Sequence, residues 1–532
     1  MVTAKYAGLL EMLFNRFSNI VAIYTLDFYF TKMKQKSIRF VKDCMIKKGF
    51  VLFFLCTSLF SQDKLLLKQA DILTSSTIGK ETVTRLDGNI IFQKTDTTLK
   101  GNFATQSDKN SIINLYGDVS IQQPEQIIYC DSLSFNNDTE FFEMFGNIKI
   151  KNGSRMISAD KATLDQISDQ MTLIDNCEIN EEDRNRVYGD KIILDFKDKT
   201  LHSFKVLSNG IIFSKNSGYE KIDDLEKNIE NEDILKAETI LADLENDEIQ
   251  NIELLGMAST LIHLYNDSLY DGINEISGDK ITMNIQNESA NKLIAEGGTI
   301  GRYIPNKSNE NVQEEIDYVA DRVEFEVEKK ISEMYGVVKI IHDKMDLSAA
   351  HINVDWSTNV LEAFSENPFN KEEINRPILI ENNREPMTGD TMVYNIKSRK
   401  GKVLMGESRV QENVYMGSQI TSVTDSTFYI DDCIFTSCDP SKFYLGSKQV
   451  KIIYGDKVIA KPLSIFIGGV PIIGVPIAIF PHSSTERRSG WIMPSFGSSE
   501  NRGNYLDGLG YYFAPNDYIG SENSLIFADR QG

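Results

Sequence analysis

Leu86-Asp-Gly88-Asn-Ile-Ile91, Leu115-Tyr-Gly117-Asp-Val-Ser-Ile121 and Met144-Phe-Gly146-Asn-Ile-Lys-Ile150 repeat one idea, with glycines 29 residues apart each time. Thr172-Leu-Ile-Asp-Asn176 continues the series at 30, with Asn176 in the glycine's place. Gly and Asn both tolerate positive φ, which a sharp corner needs. Leu254-Leu-Gly256 and Met334-Tyr-Gly336 look like later copies. The reading that follows is a β corner feeding a strand, over and over.

A second element interleaves with the first. Ile157-Ser-Ala-Asp160-Lys-Ala-Thr-Leu164, Val187-Tyr-Gly-Asp190, Ile276-Ser-Gly-Asp279, Val319-Ala-Asp321 and Met387-Thr-Gly-Asp390 each lead into alternating apolar and polar residues. Period two marks strands with one buried face. A fixed period of short strands predicts stacked units that share a core. Each copy is expected to hold three or four strands. The inward residues form either a packed core or an open groove for acyl chains, and periodicity does not separate the two. Acidic stretches such as Gly218 to Glu238 are expected to be solvated loops.

The composition narrows the function. The 532 residues carry a formal net charge of −21, against what a phosphate-binding surface needs, so no nucleic-acid partner is expected. His202, His263, His342, His351 and His482 have no metal-ligand spacing, and Cys433 and Cys438 have no further ligands nearby, so no metal is expected. No cofactor motif, phosphate loop or nucleophile–base pattern is present, which speaks against an enzyme. Cys130 and Cys177 read as buried thiols on strands.

At the N-terminus, Met45-Ile-Lys-Lys precedes an apolar run ending near Ser61, the plan of a secretory signal peptide over 45–61. Residues 1–44 are then expected to be a mis-called upstream extension. At the other end, Leu463 to Phe480 is uncharged but carries Gly468-Gly469, Pro471, Gly474 and Pro476. Proline disrupts a helix interior, so two or three short strands fit better than a membrane helix. Trp491, Phe496, Tyr505, Tyr511, Tyr512, Phe513 and Tyr518 then follow among Gly and Asn turns, as at the start of a membrane barrel.

Ordered landmarks carry a resemblance. Phe435-Thr-Ser-Cys438, Gly469-Val-Pro471, Phe480-Pro481, Arg487-Arg488-Ser489-Gly490-Trp-Ile-Met-Pro494-Ser-Phe-Gly497 and Tyr511-Tyr512-Phe513 are similar to the LptD family of LPS-assembly proteins. The upstream repeats look like the OstA/LptA-type β-jellyroll. The resemblance implies an all-β fold: an elongated repeat β-jellyroll over 62–430 with acidic insertions, a junction over 431–489, and the first strands of an incomplete transmembrane β-barrel over 490–532. It implies outer-membrane lipopolysaccharide transport, with the N-terminal domain in the periplasm. The implied partners are lipopolysaccharide, an LptE-like plug lipoprotein and LptA/LptC-like bridge jellyrolls. Prolines in the first barrel strands weaken a lateral gate in the family, and Pro494 matches one such position. Where the family can carry a second, before Tyr511, this chain has Gly510. Cys438 matches a disulfide-forming cysteine, with Cys433 an additional candidate. Ile148 and Val338 are candidate lipid-path positions. A periplasmic structural or adhesive β-repeat protein without lipid transport is the alternative.

Overall fold

A computed structural model describes residues 66–530, apart from short breaks of which 108–110, 123–125, 182–184, 368–373, 382–384, 437–442 and 482–487 are the main ones. The expected signal peptide and upstream extension therefore lie outside the described residues. All regular structure among the described residues is strand, so the chain is all-β. No helix among them is long and apolar enough to cross a membrane.

The repeat has a definite physical form. In Phe141–Asn152 and its neighbour Arg155–Asp165, Phe145 pairs with Lys161 and Ile148 with Ala159. Gly146 and Asn147 thus oppose the single residue Asp160, which makes each corner a β-bulge. Gly146 and Asn147 both have positive φ, at 75° and 46°. The same register skip recurs between Tyr116 and Val119 and between Leu207 and Gly210.

Burial explains why the corner works. On Arg155–Asp165 the buried residues are 155, 157 and 159 before Asp160, then 162 and 164 after it. A one-residue phase change flips which face a strand buries. Here it coincides with the bend, so both arms keep their apolar side inward. Each 29-residue period therefore holds two named strands, each bent in the middle into two arms. That resolves the expected three or four strands per copy.

Among the described residues, five corners of the first unit are tied to the segment before them. Asn89 Nδ2 donates to Asp71 Oδ2 at 2.9 Å, Asn147 to Asp131 at 2.9 Å, Asn176 to Asp160 at 2.7 Å and Asn209 to Asp190 at 2.8 Å. At one corner the two residue types trade places, and Asn102 donates to Asp118 at 3.1 Å. At Asp160 and Asn176 the two sequence elements are thus the two halves of one tie. The structure also corrects a register. Asp175, with φ of 61°, takes the glycine's place, and Asn176 takes that of Asn147. The period stays at 29.

The contacts part the chain into two units, one closing at Ala295 with Ile304–Asn309 added, the other made of Glu296–Tyr303 and Glu310–Gly532. In the first unit, strands from Glu81–Lys94 to Leu269–Gln286 run as a meander, each antiparallel to the next. Leu115, Leu133, Met144, Ile148 and Leu173 are buried in its interior. A large aliphatic side chain buried so completely contributes ~1.5–3 kcal/mol.

The acidic stretch expected as a loop is instead a hairpin of two long strands, Thr200–Ile222 and Leu225–Glu245. The register sets Lys215 against Glu232, Glu220 against Lys227 and Lys221 against Glu226. Opposite charges across a ladder stabilise pairing, so the high charge count marks a solvated strand face. At the far end of this hairpin Tyr219 pairs in parallel with Leu269.

In the second unit, Ile316–Glu326, Ile331–His342 and Met345–Asp355 continue the pattern. Met345–Asp355 then takes a different partner for each arm, Ile378–Glu381 for one and Val360–Phe364 for the other. Lys457–Ile467 repeats that device with Val470–Val475 and Ala478–Pro481. The uncharged run from Leu463 to Phe480 is therefore three strands. A separate sheet follows, in which Gly503–Phe513 pairs with Gly490–Ile492, Ser495–Ser499 and Ser521–Ala528.

Candidate functional site

The second unit encloses a cavity of about 600 Å³. That volume falls in the range of sites that hold a small organic ligand, roughly 300–1,000 Å³. Thr391–Asn395, Lys400–Val410, Asn413–Thr424 and Thr427–Thr436 supply its inner wall through Met392, Tyr394, Val403, Ile420, Ile430 and Phe435. Met392, Tyr394, Val403, Ile420 and Ile430 are each buried between more exposed neighbours, so successive strands present an apolar row. The separate sheet supplies Trp491, Ile492 and Tyr512, and Ala478–Pro481 supplies Phe480. The wall is thus built jointly by the last bent strands and by the first strands of the next sheet.

Few polar groups reach this space. Glu381, Glu385, Lys402, Ser408 and Ser422 stand in its wall, and Tyr394 donates to Glu381 Oε1 at 3.4 Å. The rings of Tyr415 and Phe435 lie 4.7 Å apart. Burial, then Cys433 and Tyr454, push the Tyr415 hydroxyl up to about 12. Burial alone pushes the nearby Cys433 thiol up to about 12. Both are neutral at physiological pH, as an apolar surrounding demands. The arrangement suits shape-based retention of hydrocarbon.

The predicted site residues fall in several places. Ile148 and Val338 are 1% and 0% exposed, packed in their respective interiors, and neither lines the cavity. Pro494 is buried and lies between Gly490–Ile492 and Ser495–Ser499. Its neighbour by two residues, Ile492, lines the cavity. Gly510 is a regular ladder position, paired with Ile492 on one side and Ser524 on the other. A Cβ there would meet the Asn523 carbonyl oxygen at 2.3 Å, so close strand approach requires glycine. The distorted residue is Gly508, with φ of 82°. Cys433 is a free buried thiol, as are Cys130 and Cys177; Cys438 lies outside the described residues. Among the described residues no group of His, Cys, Asp and Glu is placed to hold a metal.

Two family models match the chain. The OstA-like protein model covers residues 62–190, and the LptD protein model covers residues 458–526. The second match spans the uncharged three-strand run, Pro494 and the cavity-lining Trp491, Ile492 and Tyr512. No curated protein matches significantly. Among solved structures, LptH from Pseudomonas aeruginosa, described as the LptA homologous periplasmic component of a lipopolysaccharide transport device, is similar at 16% identity over 20% of this chain and 79% of its own. Its TM-score of 0.18 gives that likeness no weight. One match thus lies on the bent-strand repeat and the other on the run that closes the cavity, and over those residues the chain is similar to the OstA-like and LptD protein families.

Proposed function

We propose that the chain works in lipopolysaccharide transport and assembly at the outer membrane. In this reading the bent-strand units lie in the periplasm and receive lipopolysaccharide from LptA/LptC-like bridge jellyrolls. The strands from Gly490 onward open an outer-membrane barrel that works with an LptE-like plug lipoprotein. Acyl chains need an apolar path and sugars a wet one. The observation that carries the reading is the apolar cavity walled jointly by Met392, Val403, Ile420 and Ile430 and by Trp491, Ile492 and Tyr512. It stands where acyl chains would leave the bent strands for the next sheet. A net charge of −21 is then tolerable with an anionic cargo, because only the acyl part is gripped. Pro494 serves as the gate position, with Gly510 allowing close approach on the facing strand.

The test is in-cell photocrosslinking with p-benzoylphenylalanine at Ile420 and at Tyr394. Lipopolysaccharide adducts at both positions are the expected result. Their absence at both, with adducts forming at a position outside the cavity such as Asn209, overturns the assignment.

A further inference from the structure

The three-strand run carries a feature that the cavity does not use. Val470–Val475 and the segment after it expose Val470, Ile472, Ile473, Ile477 and Ile479, at between 44% and 62%. Gly468 and Gly469, both with positive φ, make the tight turn that projects the hairpin. Adjacent residues on a strand point to opposite faces. Pro471 and Ile473, set on opposite faces by their neighbouring partners Phe466 and Ile465, are nonetheless both exposed. A protein partner laid on this hairpin would cover one of these faces. A fluid hydrocarbon covers both.

From these exposures we infer that the hairpin around Gly468-Gly469 inserts into a phospholipid surface. Charge placement agrees. Residues 463–480 are uncharged, and Lys448 and Lys461 stand exposed at the hairpin's foot, where Gln449 pairs with Lys461 and Ser447 with Leu463. Ammonium groups beside an apolar element suit anionic lipid phosphates. The backbone limits the depth. Among the described residues Val470–Val475 pairs with Lys457–Ile467 alone, so one edge of polar backbone is open. Such an edge is costly in the hydrocarbon interior. Pro471 removes one amide from it, and the rest need water or headgroups. The insertion is therefore shallow, roughly 5–10 Å into the headgroup and acyl boundary, as for other interfacial elements. This membrane contact does not depend on what the cavity holds.

The experiment places an environment-sensitive maleimide dye at Pro471→Cys and, separately, at Ile473→Cys in the full chain. Cys44, Cys56 and Cys438 are replaced by serine. Cys130, Cys177 and Cys433 remain, since buried thiols pushed up to about 12 do not label. Vesicles of phosphatidylethanolamine and phosphatidylglycerol carry a doxyl quencher at acyl carbon 5 or 12. The expected result is a blue shift at both positions on adding vesicles, with stronger quenching from carbon 5. A dye at Glu226→Cys, exposed in the first unit, is expected to stay unshifted. Ile477→Cys repeats the measurement if either hairpin variant misfolds. The inference is overturned if the dyes stay wet with vesicles. It is equally overturned if only one of positions 471 and 473 dries, which marks a protein surface, or if the shift appears without vesicles and grows with protein concentration, which marks a second copy.

Discussion

Asn147 reaches across the corner to Asp131, Nδ2 to Oδ2 at 2.9 Å, while Gly146 beside it leaves no room for a side chain. A Cβ on Gly146 would lie 2.2 Å from the same Asp131 oxygen. The glycine and the tie thus specify each other. Asn147→Ala loses one hydrogen bond to a carboxylate and an αL-tolerant residue, an expected cost of about 1–2 kcal/mol. Gly146→Ala costs more, since strain at φ of 75° adds to the overlap. Urea midpoints measure both. The double variant Asn147→Ala with Asp131→Ala is expected to lose less than the sum of the single losses, because the two residues share one bond.

Asp233 makes stability depend on pH. It is buried in the long charged hairpin, accepts the His263 amide at 2.7 Å and lies 2.8 Å from His263 Nδ1. Burial raises its carboxyl to about 6 from 3.8, against the hydrogen bonds from His263 and Asn216 that lower it. A carboxyl raised in the folded state favours folding fully below its unfolded value and loses that contribution as pH rises through the folded one. The window is therefore about pH 4 to 6. Asp233→Asn removes the charge and keeps the shape. Its stability relative to the parent is expected to improve from pH 4 to pH 7, by at most about 3 kcal/mol. Urea titrations at the two pH values check the sign.

Filling the cavity separates its capacity from its framework. Val403→Phe and Ile420→Phe place extra carbon into empty space instead of a packed wall. Overpacking costs are then small, with a melting temperature near the parent's. Retention of a lipid A or fatty acyl probe is expected to fall at least tenfold, about 1.4 kcal/mol. Calorimetry and probe binding give the two readings side by side.

Pro494 stands opposite Gly508 by register, since Ile492 pairs with Gly510 and Ser495 with Asp507. The ladder on the far side of Gly503–Phe513 also shifts there, between Asp507 and Leu509. A residue without an amide facing a distorted glycine is a weak point in the seam. Pro494→Ala restores a donor. Slower hydrogen exchange over 503–513 is expected, with less lipopolysaccharide reaching the cell surface.

Thiol titration tests the interiors directly. Cys130, Cys177 and Cys433 are buried, and desolvation is the main force pushing each up to about 12. They are expected to be silent to a disulfide reagent at pH 8 in the folded protein and to react fully in guanidinium.

Much of the fold was legible because backbone strain selects residue types. Gly88, Gly117 and Gly146 mark corners, since few other residues take that φ. The tie between Asn147 and Asp131 was not legible, because its halves lie on neighbouring strands. Asn176 was misplaced by one because Asp175 also tolerates the left-handed region. The charged hairpin was hidden because acidic residues on a solvated strand face look like those of a loop. Pairing across the ladder, as between Lys215 and Glu232, distinguishes the two. The cavity left no signature at all. Val403 and Ile420 alternate as Ile148 and Val338 do, and only packing decides which interior is filled.

Every corner tie joins a strand to its immediate neighbour and to nothing further along the chain. A unit inserted or removed at any hairpin leaves the remaining ties with the same partners. Copy number is therefore a free variable for such a protein. A lineage can lengthen or shorten this array by gene duplication or deletion, matching its reach to the gap it serves, without redesigning a single residue pair.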